Sequence, residues 1–146
     1  MSKNTVKLKD VTAKNWRKIA RLELAPDQVD LVADNLHSIA ESKFDPDARP
    51  RAVYAGDEPV GFLMYDASER EALIYRFMID RRHQGKGYGR AALIAALEEI
   101  KAIPKVRKAV ISYMPDNTVA KAFYASLGFV EEGIDEDGEM MAKLKF

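Results

Sequence analysis

Residues 84–90 read Gln-Gly-Lys-Gly-Tyr-Gly-Arg, a glycine-dense stretch between an apolar segment at 72–79 and a helical pattern that runs through Lys101. A strand, a glycine-rich loop and a helix in this order commonly bind phosphate, because glycines let the backbone approach the anion and the first N–H groups of a helix have no internal partner. The P-loop spacing is absent, and a dinucleotide fingerprint starting at Gly85 would need glycine where Arg90 stands. Both of these phosphate motifs are therefore excluded.

The charge around the loop is mostly positive. One acid, Asp80, stands among five basic residues, which are Arg76, Arg81, Arg82, Lys86 and Arg90. Such a concentration suits a ligand that carries several phosphate groups. A glycine-rich turn without any ligand is the alternative.

Hydrophobic patterning places this loop within a series of strands and helices. The predicted strands span 6–11, 51–55, 60–65, 72–79, 109–113, 129–134 and a last segment that ends near Phe146. The predicted helices span 15–24, 26–42, the stretch from the glycine loop through Lys101, and 118–127, whereas residues 44–51, with two prolines, are predicted to form a loop. The pattern favours an α/β (α+β) fold in which helices cover both faces of a mostly antiparallel sheet.

The composition narrows the possible functions. With 146 residues, of which 47% are hydrophobic, the chain is expected to form one domain over residues 1–146. The 23 basic and 23 acidic residues balance, which argues against bulk binding of nucleic acid. The absence of cysteine excludes thiolate chemistry, and with two histidines and no His-Glu-x-x-His motif no metal site is expected. No apolar run is long enough to span a membrane and residues 1–10 do not resemble a signal peptide, so a cytoplasmic protein is expected.

Two motifs are similar to those of the GNAT superfamily of N-acetyltransferases. The spacing Gln84-x-x-Gly87-x-Gly89 resembles the superfamily's pyrophosphate-binding signature. Residues 117–129, which begin with Asn117 and end in Leu-Gly-Phe, resemble its C-terminal signature, although they also read as an ordinary helix with an Asn N-cap and a glycine after its end. The resemblance covers roughly residues 50–146.

The resemblance implies a twisted sheet of about seven strands that splay apart where acetyl-coenzyme A binds. The backbone of Phe77, Met78 and Ile79 would pair with the pantetheine arm. The other implied coenzyme-binding residues are Gln84, Gly85, Lys86, Gly87, Tyr88, Gly89, Arg90 and Asn117. Tyr124 matches the general acid of the family, unless it is simply a core aromatic beside Phe123. Acetyl would pass directly to an amine, which fits a chain without a cysteine nucleophile.

The strand glutamate that often serves relatives as base is missing, since Leu73, Ile74, Tyr75 and Arg76 occupy that stretch. Glu71 lies just upstream as a candidate, and the base stays unassigned.

Acidic residues on the predicted helix 26–42 bear on the acceptor. Asp27, Asp30, Asp34 and Glu41 share one side, which is either a solvated face or a site for a cationic acceptor, with Asp30, Asp34 and Glu41 as substrate-binding candidates. The run Phe77-Met78-Ile79-Asp80 before the loop resembles bacterial spermine/spermidine acetyltransferases, which implies a small polyamine acceptor. The alternatives are another amine acceptor (an aminoglycoside, an amino acid or a protein amine) and a non-catalytic acyl-coenzyme A-binding module. The C-terminal strands could form the edge of a homodimer.

Overall fold

The order of strands and helices agrees with the prediction in the computed structural model, which describes residues 5–25 and 34–146. The strands are β1 (Lys7–Asp10), β2 (Ala48–Ala55), β3 (Glu58–Asp66), β4 (Glu71–Ile79), β5 (Lys108–Tyr113), β6 (Val130–Ile134) and β7 (Met140–Lys145). The helices are α1 (Trp16–Ala20), α2 (Asn35–Ser42), α3 (Tyr88–Lys101) and α4 (Thr118–Ser126), with a 3-10 helix at Arg81–His83. None of the described helices has the length and apolar character needed to cross a membrane.

The seven strands form one sheet in the order β1-β2-β3-β4-β5-β7-β6. All neighbours are antiparallel except β4 and β5, which are parallel. This parallel pairing joins Glu71–Leu73 to Lys108–Val110 and then stops, although β4 continues to Ile79 and β5 to Tyr113. The two strands therefore diverge toward their carboxyl ends. The predicted fold class, including the splayed strands, is confirmed.

Hydrophobic clusters lie on both faces of the sheet. On one face α3 packs through Leu93, Leu97 and Ile100 against buried residues such as Leu63. On the other face Ile19 and Ile39 from α1 and α2 pack against strand residues that include Phe62 and Met78. The gap between β4 and β5 therefore opens on one face toward the side of α3 and on the other face toward the side of α1 and α2.

A β-bulge in β4 changes which way its middle residues point. Met64 of β3 pairs with Arg76 and Tyr65 pairs with Ile74, so Tyr75 has no opposite residue. Ile74 packs in the cluster beneath α3, whereas Tyr75 packs in the cluster beneath α1 and α2. Arg76 also points toward α2, where its Nε donates to Ser38 Oγ at 3.2 Å. The bulge thus directs two successive side chains to one face.

Three boundaries differ from the prediction by three or more residues, and the first is the end of α1, which is predicted at residue 24 and lies at Ala20. The helix predicted over 26–42 begins at Asn35, and residues 26–33 lie outside the described part of the chain. Asp34 has an extended backbone and caps α2, its carboxylate accepting from the His37 N–H at 2.7 Å, as short acidic side chains favour at N-caps. The loop predicted over 44–51 is also too long, because β2 includes Pro50. At Pro50 the pairing with β1 has already ended, so β2 is an edge strand there and tolerates proline.

Candidate active site

A cleft of about 560 Å³ opens where β4 and β5 diverge. It lies between the carboxyl ends of these strands, the glycine loop with the start of α3, and α4. The predicted site residues that line it are Phe77, Met78, Ile79, Gln84, Gly85, Tyr88, Gly89, Asn117 and Tyr124. The structure therefore brings together most of the residues that were predicted from the two sequence motifs and from the strand before the glycine loop.

The glycine loop holds the start of α3 against the end of β4. Gln84 Nε2 donates to the carbonyl oxygen of Ile79 at 2.9 Å, which fixes the first residue of the loop to the strand. Gly85 and Gly87 have φ values of +75° and +84°, a left-handed conformation that favours glycine, and Gly87 is the N-cap of α3. The N–H groups of the first turn of α3 have no partner four residues back, so they are available to an anion.

Three of the five basic residues near this loop are paired with acids. Arg76 turns away toward α2 and pairs with Glu41 at 3.1 Å, while Arg81 pairs with Glu23 and Arg82 with Asp80. Lys86 and Arg90 form no ion pair with the described residues, and the Arg90 guanidinium donates to Ser126 Oγ at 2.8 Å. Neither these two residues nor Gly87 lines the cleft itself. Of the five basic residues near the loop, Lys86 and Arg90 therefore remain available to a phosphate group.

Tyr124 lies on α4 among aromatic rings and also faces the cleft. Its ring meets those of Tyr113, Phe123 and Phe129 edge-on, with centroids 5.2–5.8 Å apart. Burial raises the pKa of the Tyr124 hydroxyl to about 12. No described residue forms a hydrogen bond with this hydroxyl. The side chain is thus both a core aromatic and a protonated phenol that can donate to a ligand in the cleft.

Asn117 combines a structural position with a place at the cleft. Its Oδ1 accepts from the Ala120 N–H at 3.0 Å, so the N-cap predicted for α4 is confirmed. The cap fixes the first turn of the helix that carries Tyr124.

Asp34 and Glu41, the described acids among those proposed for acceptor binding, are not at the cleft. Asp30 lies outside the described residues, and Asp34 is engaged as the cap of α2. Glu41 pairs with Arg76 and lies 3.6 Å from His37 Nε2. Glu71, the candidate base, is at the opposite end of β4 and pairs with Lys143 at 2.9 Å. None of the three described acids lines the cleft.

Several lining residues were missed by the sequence reasoning. His83, Ser112, Tyr113 and Glu139 all line the cleft. Ser112 and Tyr113 could have been found from the sequence, because they end the strand that is parallel to β4 and so must reach the same edge of the sheet. Glu139 lies in the turn before β7, and no local pattern marks it.

Comparisons with known proteins agree with this architecture. The sequence profile of the Acetyltransferase (GNAT) family matches residues 13–129. Over 144 residues the chain is 27% identical to the spermine/spermidine N(1)-acetyltransferase of Bacillus subtilis, covering 92% of this chain and 95% of that protein.

Solved structures give the same result. An acetyltransferase from Thermus thermophilus superposes with a TM-score of 0.80 at 25% identity over 100% of both chains. Spermidine N-acetyltransferase from Vibrio cholerae in complex with CoA and spermine superposes with a TM-score of 0.74 at 21% identity, covering 95% of this chain and 93% of that one. The cleft between splayed strands, the glycine loop and the profile match together show that the chain belongs to the GNAT family and is an acetyl-CoA-dependent N-acetyltransferase.

Proposed function

We propose that the protein transfers acetyl from acetyl-CoA to a primary amine of a small polycationic acceptor, such as spermidine or spermine, with Tyr124 as the general acid. The observation that carries the proposal is the Tyr124 hydroxyl, a protonated donor facing the cleft without a partner among the described residues. The polyamine acceptor is supported by the match, over 92% of this chain, to a protein named for spermine and spermidine acetylation.

The diverging part of β4 would hold the pantetheine arm. Beyond Leu73 the edge of β4 that faces β5 has no strand partner, so backbone groups of Phe77, Met78 and Ile79 remain for a ligand. An extended arm carrying amide groups can pair with such an edge as an additional strand would.

The pyrophosphate would lie at the glycine loop. The N–H groups of Gly85, Tyr88 and Gly89 and the dipole of α3 favour negative charge there, and each charge placed at a helix N-terminus gains roughly 0.3–1 kcal/mol. Lys86 and Arg90, which have no acidic partner among the described residues, would add long-range attraction. Asn117 would contact the coenzyme from the start of α4.

The chemistry follows from the proton requirements of the reaction. An alkylammonium has a pKa near 10.4, so the acceptor must lose a proton before its nitrogen can attack the thioester carbon. That proton would go to water, and after the attack the nitrogen, which is then positively charged, would release a second proton in the same way. As the carbon–sulfur bond breaks, the leaving thiolate takes up a proton, which Tyr124 would supply.

The pKa of Tyr124 limits how this donation occurs. Full transfer from a phenol with a pKa of about 12 to a cysteine-like thiolate near 8.5 is uphill by roughly 5 kcal/mol. Tyr124 would therefore protonate the sulfur in step with cleavage of the carbon–sulfur bond rather than after a free thiolate has formed, and its phenolate would regain a proton from solvent.

The test is an assay of CoA release by purified protein given acetyl-CoA and, separately, spermidine, spermine, an aminoglycoside, an amino acid and a peptide, with products identified by mass spectrometry. Acetylated spermidine or spermine at the highest kcat/KM supports the proposal. Turnover restricted to one of the other amines overturns the polyamine acceptor. CoA binding without release for any amine indicates a non-catalytic module.

The domain boundaries, the cytoplasmic location, the homodimer and the absence of nucleic acid, membrane and metal partners stay predictions.

A further inference from the structure

Glu139 has a fixed place beside the end of β5. It directly precedes Met140, the residue of β7 that pairs with Tyr113. Two hydrogen bonds to Asp135 hold its backbone, one from the Asp135 N–H to the Glu139 carbonyl at 2.8 Å and one from the Glu139 N–H to the Asp135 carboxylate at 3.0 Å. The turn is thereby closed, and Glu139 is positioned at the cleft.

Glu139 is the sole acid among the described residues that line the cleft. Nearby acids on β6 are neutralised, since Glu131 accepts from the Tyr113 hydroxyl at 2.6 Å and pairs with Lys121, and Glu132 pairs with Lys143. The Glu139 side chain, in contrast, has no hydrogen bond or ion pair with any described residue. A carboxylate oxygen of Asp135 and one of Asp137 lie within 4.8 Å of a Glu139 carboxylate oxygen, which adds negative potential beside the cleft.

Glu139 and Tyr124 approach the cleft from opposite faces of the sheet. The Tyr113 ring packs against Tyr124, so it points to the face that carries α4. Side chains alternate along a strand, which places Ser112 on the other face. Glu139 continues the β6–β7 ladder through the bond from the Asp135 N–H to its carbonyl, so the same alternation assigns it, next to the residue paired with Tyr113, to the face of Ser112. An acceptor could therefore contact Glu139 while its reacting nitrogen lies near the side of the proton donor.

We infer that Glu139 binds a second, protonated amino group of the acceptor and so selects diamines and polyamines over monoamines. The inference rests on the proposed acetyl transfer and assigns to it a specificity-determining residue. A carboxylate–ammonium hydrogen bond in a partly enclosed cleft is strong enough to decide between substrates that differ by one amino group. The first amino group must be uncharged to react, so it cannot form a charge-assisted hydrogen bond with the same carboxylate.

The experiment compares 1,4-diaminobutane with butylamine, a pair that differs only in the second amino group, in the presence of EDTA. Wild-type protein should show a kcat/KM about 10- to 100-fold higher for the diamine. Glu139→Gln should lower the diamine value to within about threefold of butylamine, while the butylamine value and the KM for acetyl-CoA stay unchanged. Glu136→Gln, the same charge change at an exposed position of the same turn, should keep the wild-type preference.

Two results would overturn the inference. One is a Glu139→Gln protein that keeps the diamine preference, and the other is an equal loss for both amines, which would mark a structural role.

A second readout keeps the inference separate from the proposed function. If wild-type protein releases no CoA with any amine, the proposed function fails, and diaminobutane binding to the CoA-loaded protein is then measured by calorimetry. Binding at least about tenfold weaker in Glu139→Gln than in wild type supports the inference. Equal binding by the two proteins, or no binding by wild type, overturns it.

Discussion

The carboxylate of Asp80 accepts a hydrogen bond of 2.8 Å from the backbone N–H of Glu23. The Arg81 N–H in turn donates to the Glu23 carbonyl at 2.7 Å. These bonds tie the segment after α1 to the turn that leads into the glycine loop. Leu24, the residue after Glu23, lines the cleft. Asp80 therefore links the α1 side of the cleft to the side where the glycine loop begins.

Asp80→Asn should destabilise the protein by about 1–3 kcal/mol, because Asp80 is only 1% exposed and also accepts from Arg82 Nε at 2.9 Å. The variant loses the charge that these donors stabilise. Urea unfolding followed by circular dichroism measures the change, with Asp57→Asn at an exposed turn as the matched control. A loss no larger than that of the control would contradict the structural role.

The contribution of Asp80 to the free energy of unfolding should disappear at acidic pH. Burial opposes ionisation of this carboxyl, but hydrogen bonds from the Glu23 N–H and from Arg82 outweigh it and lower its pKa from the ordinary 3.8. A carboxyl with a lowered folded-state pKa stabilises the fold above its unfolded pKa and loses that effect as the pH falls further. The difference in unfolding free energy between wild type and Asp80→Asn should stay constant from about pH 7 to 5 and shrink below about pH 4. A difference that grows on acidification would reverse the sign and refute the assignment.

Gly61→Ala should weaken both the fold and coenzyme binding. A Cβ at Gly61 would lie 2.6 Å from the Met78 carbonyl oxygen and 2.7 Å from Ile79 Cδ1, so β4 would have to move. We expect a loss of about 1–3 kcal/mol in unfolding free energy and weaker CoA binding by calorimetry. Unchanged CoA affinity would show that the backbone of Met78 and Ile79 is not part of the coenzyme site.

Two glycines of the loop should respond oppositely to alanine. Gly87→Ala forces a side chain into a left-handed conformation and should cost about 1–2 kcal/mol of stability. Gly89 is helical, and a Cβ there would meet Ile79 Cγ1 at 3.6 Å, an ordinary contact, so Gly89→Ala should be neutral or stabilising by up to about 1 kcal/mol. Thermal unfolding of the two variants without ligand makes the comparison, and equal losses would contradict the conformational argument.

Tyr124→Phe should lower kcat about 100-fold or more while the KM for acetyl-CoA changes little, because only the proton donor is removed. Tyr113→Phe is the matched control, since the Tyr113 hydroxyl already donates to Glu131. With the Tyr124 pKa raised to about 12, the wild-type rate should rise as the amine loses its proton and show no descending limb up to about pH 10. Equal effects of the two substitutions would remove Tyr124 from the proposed role.

The features that the sequence predicted well depend on neighbours along the chain. Alternation of apolar residues, the Asn117 cap and the glycines before α3 all act within a few residues, so the order of elements and the position of the loop could be read directly. Tyr124 lies on the predicted helix, which is bounded by Asn117 and Gly128, and it lines the cleft.

The features that were missed depend on distant parts of the chain. Arg76 was assigned to the phosphate loop, but the bulge at Tyr75 turns it toward Glu41, and a bulge is defined only by the partner strand. The sequence predicts a loop at Pro50 because proline usually ends a strand, yet β1 pairs only as far as Arg51, so Pro50 lies on an edge of the sheet. Glu139 was missed because the pairing of β7 with β5, not its own surroundings in sequence, brings it to the cleft.

The short contact between β4 and β5 has a mechanical consequence. The residue pairs from Glu71 to Leu73 connect two parts of the sheet, β1–β4 and β5–β7. A coenzyme bound beyond these pairs would contact both parts of the sheet, the first through Phe77–Ile79 and the second through α4, and so would hold them together. Amide hydrogens of Ile111, Ser112 and Tyr113 should therefore exchange more slowly when CoA is bound, although these residues lie across the gap from the strand that is proposed to hold it.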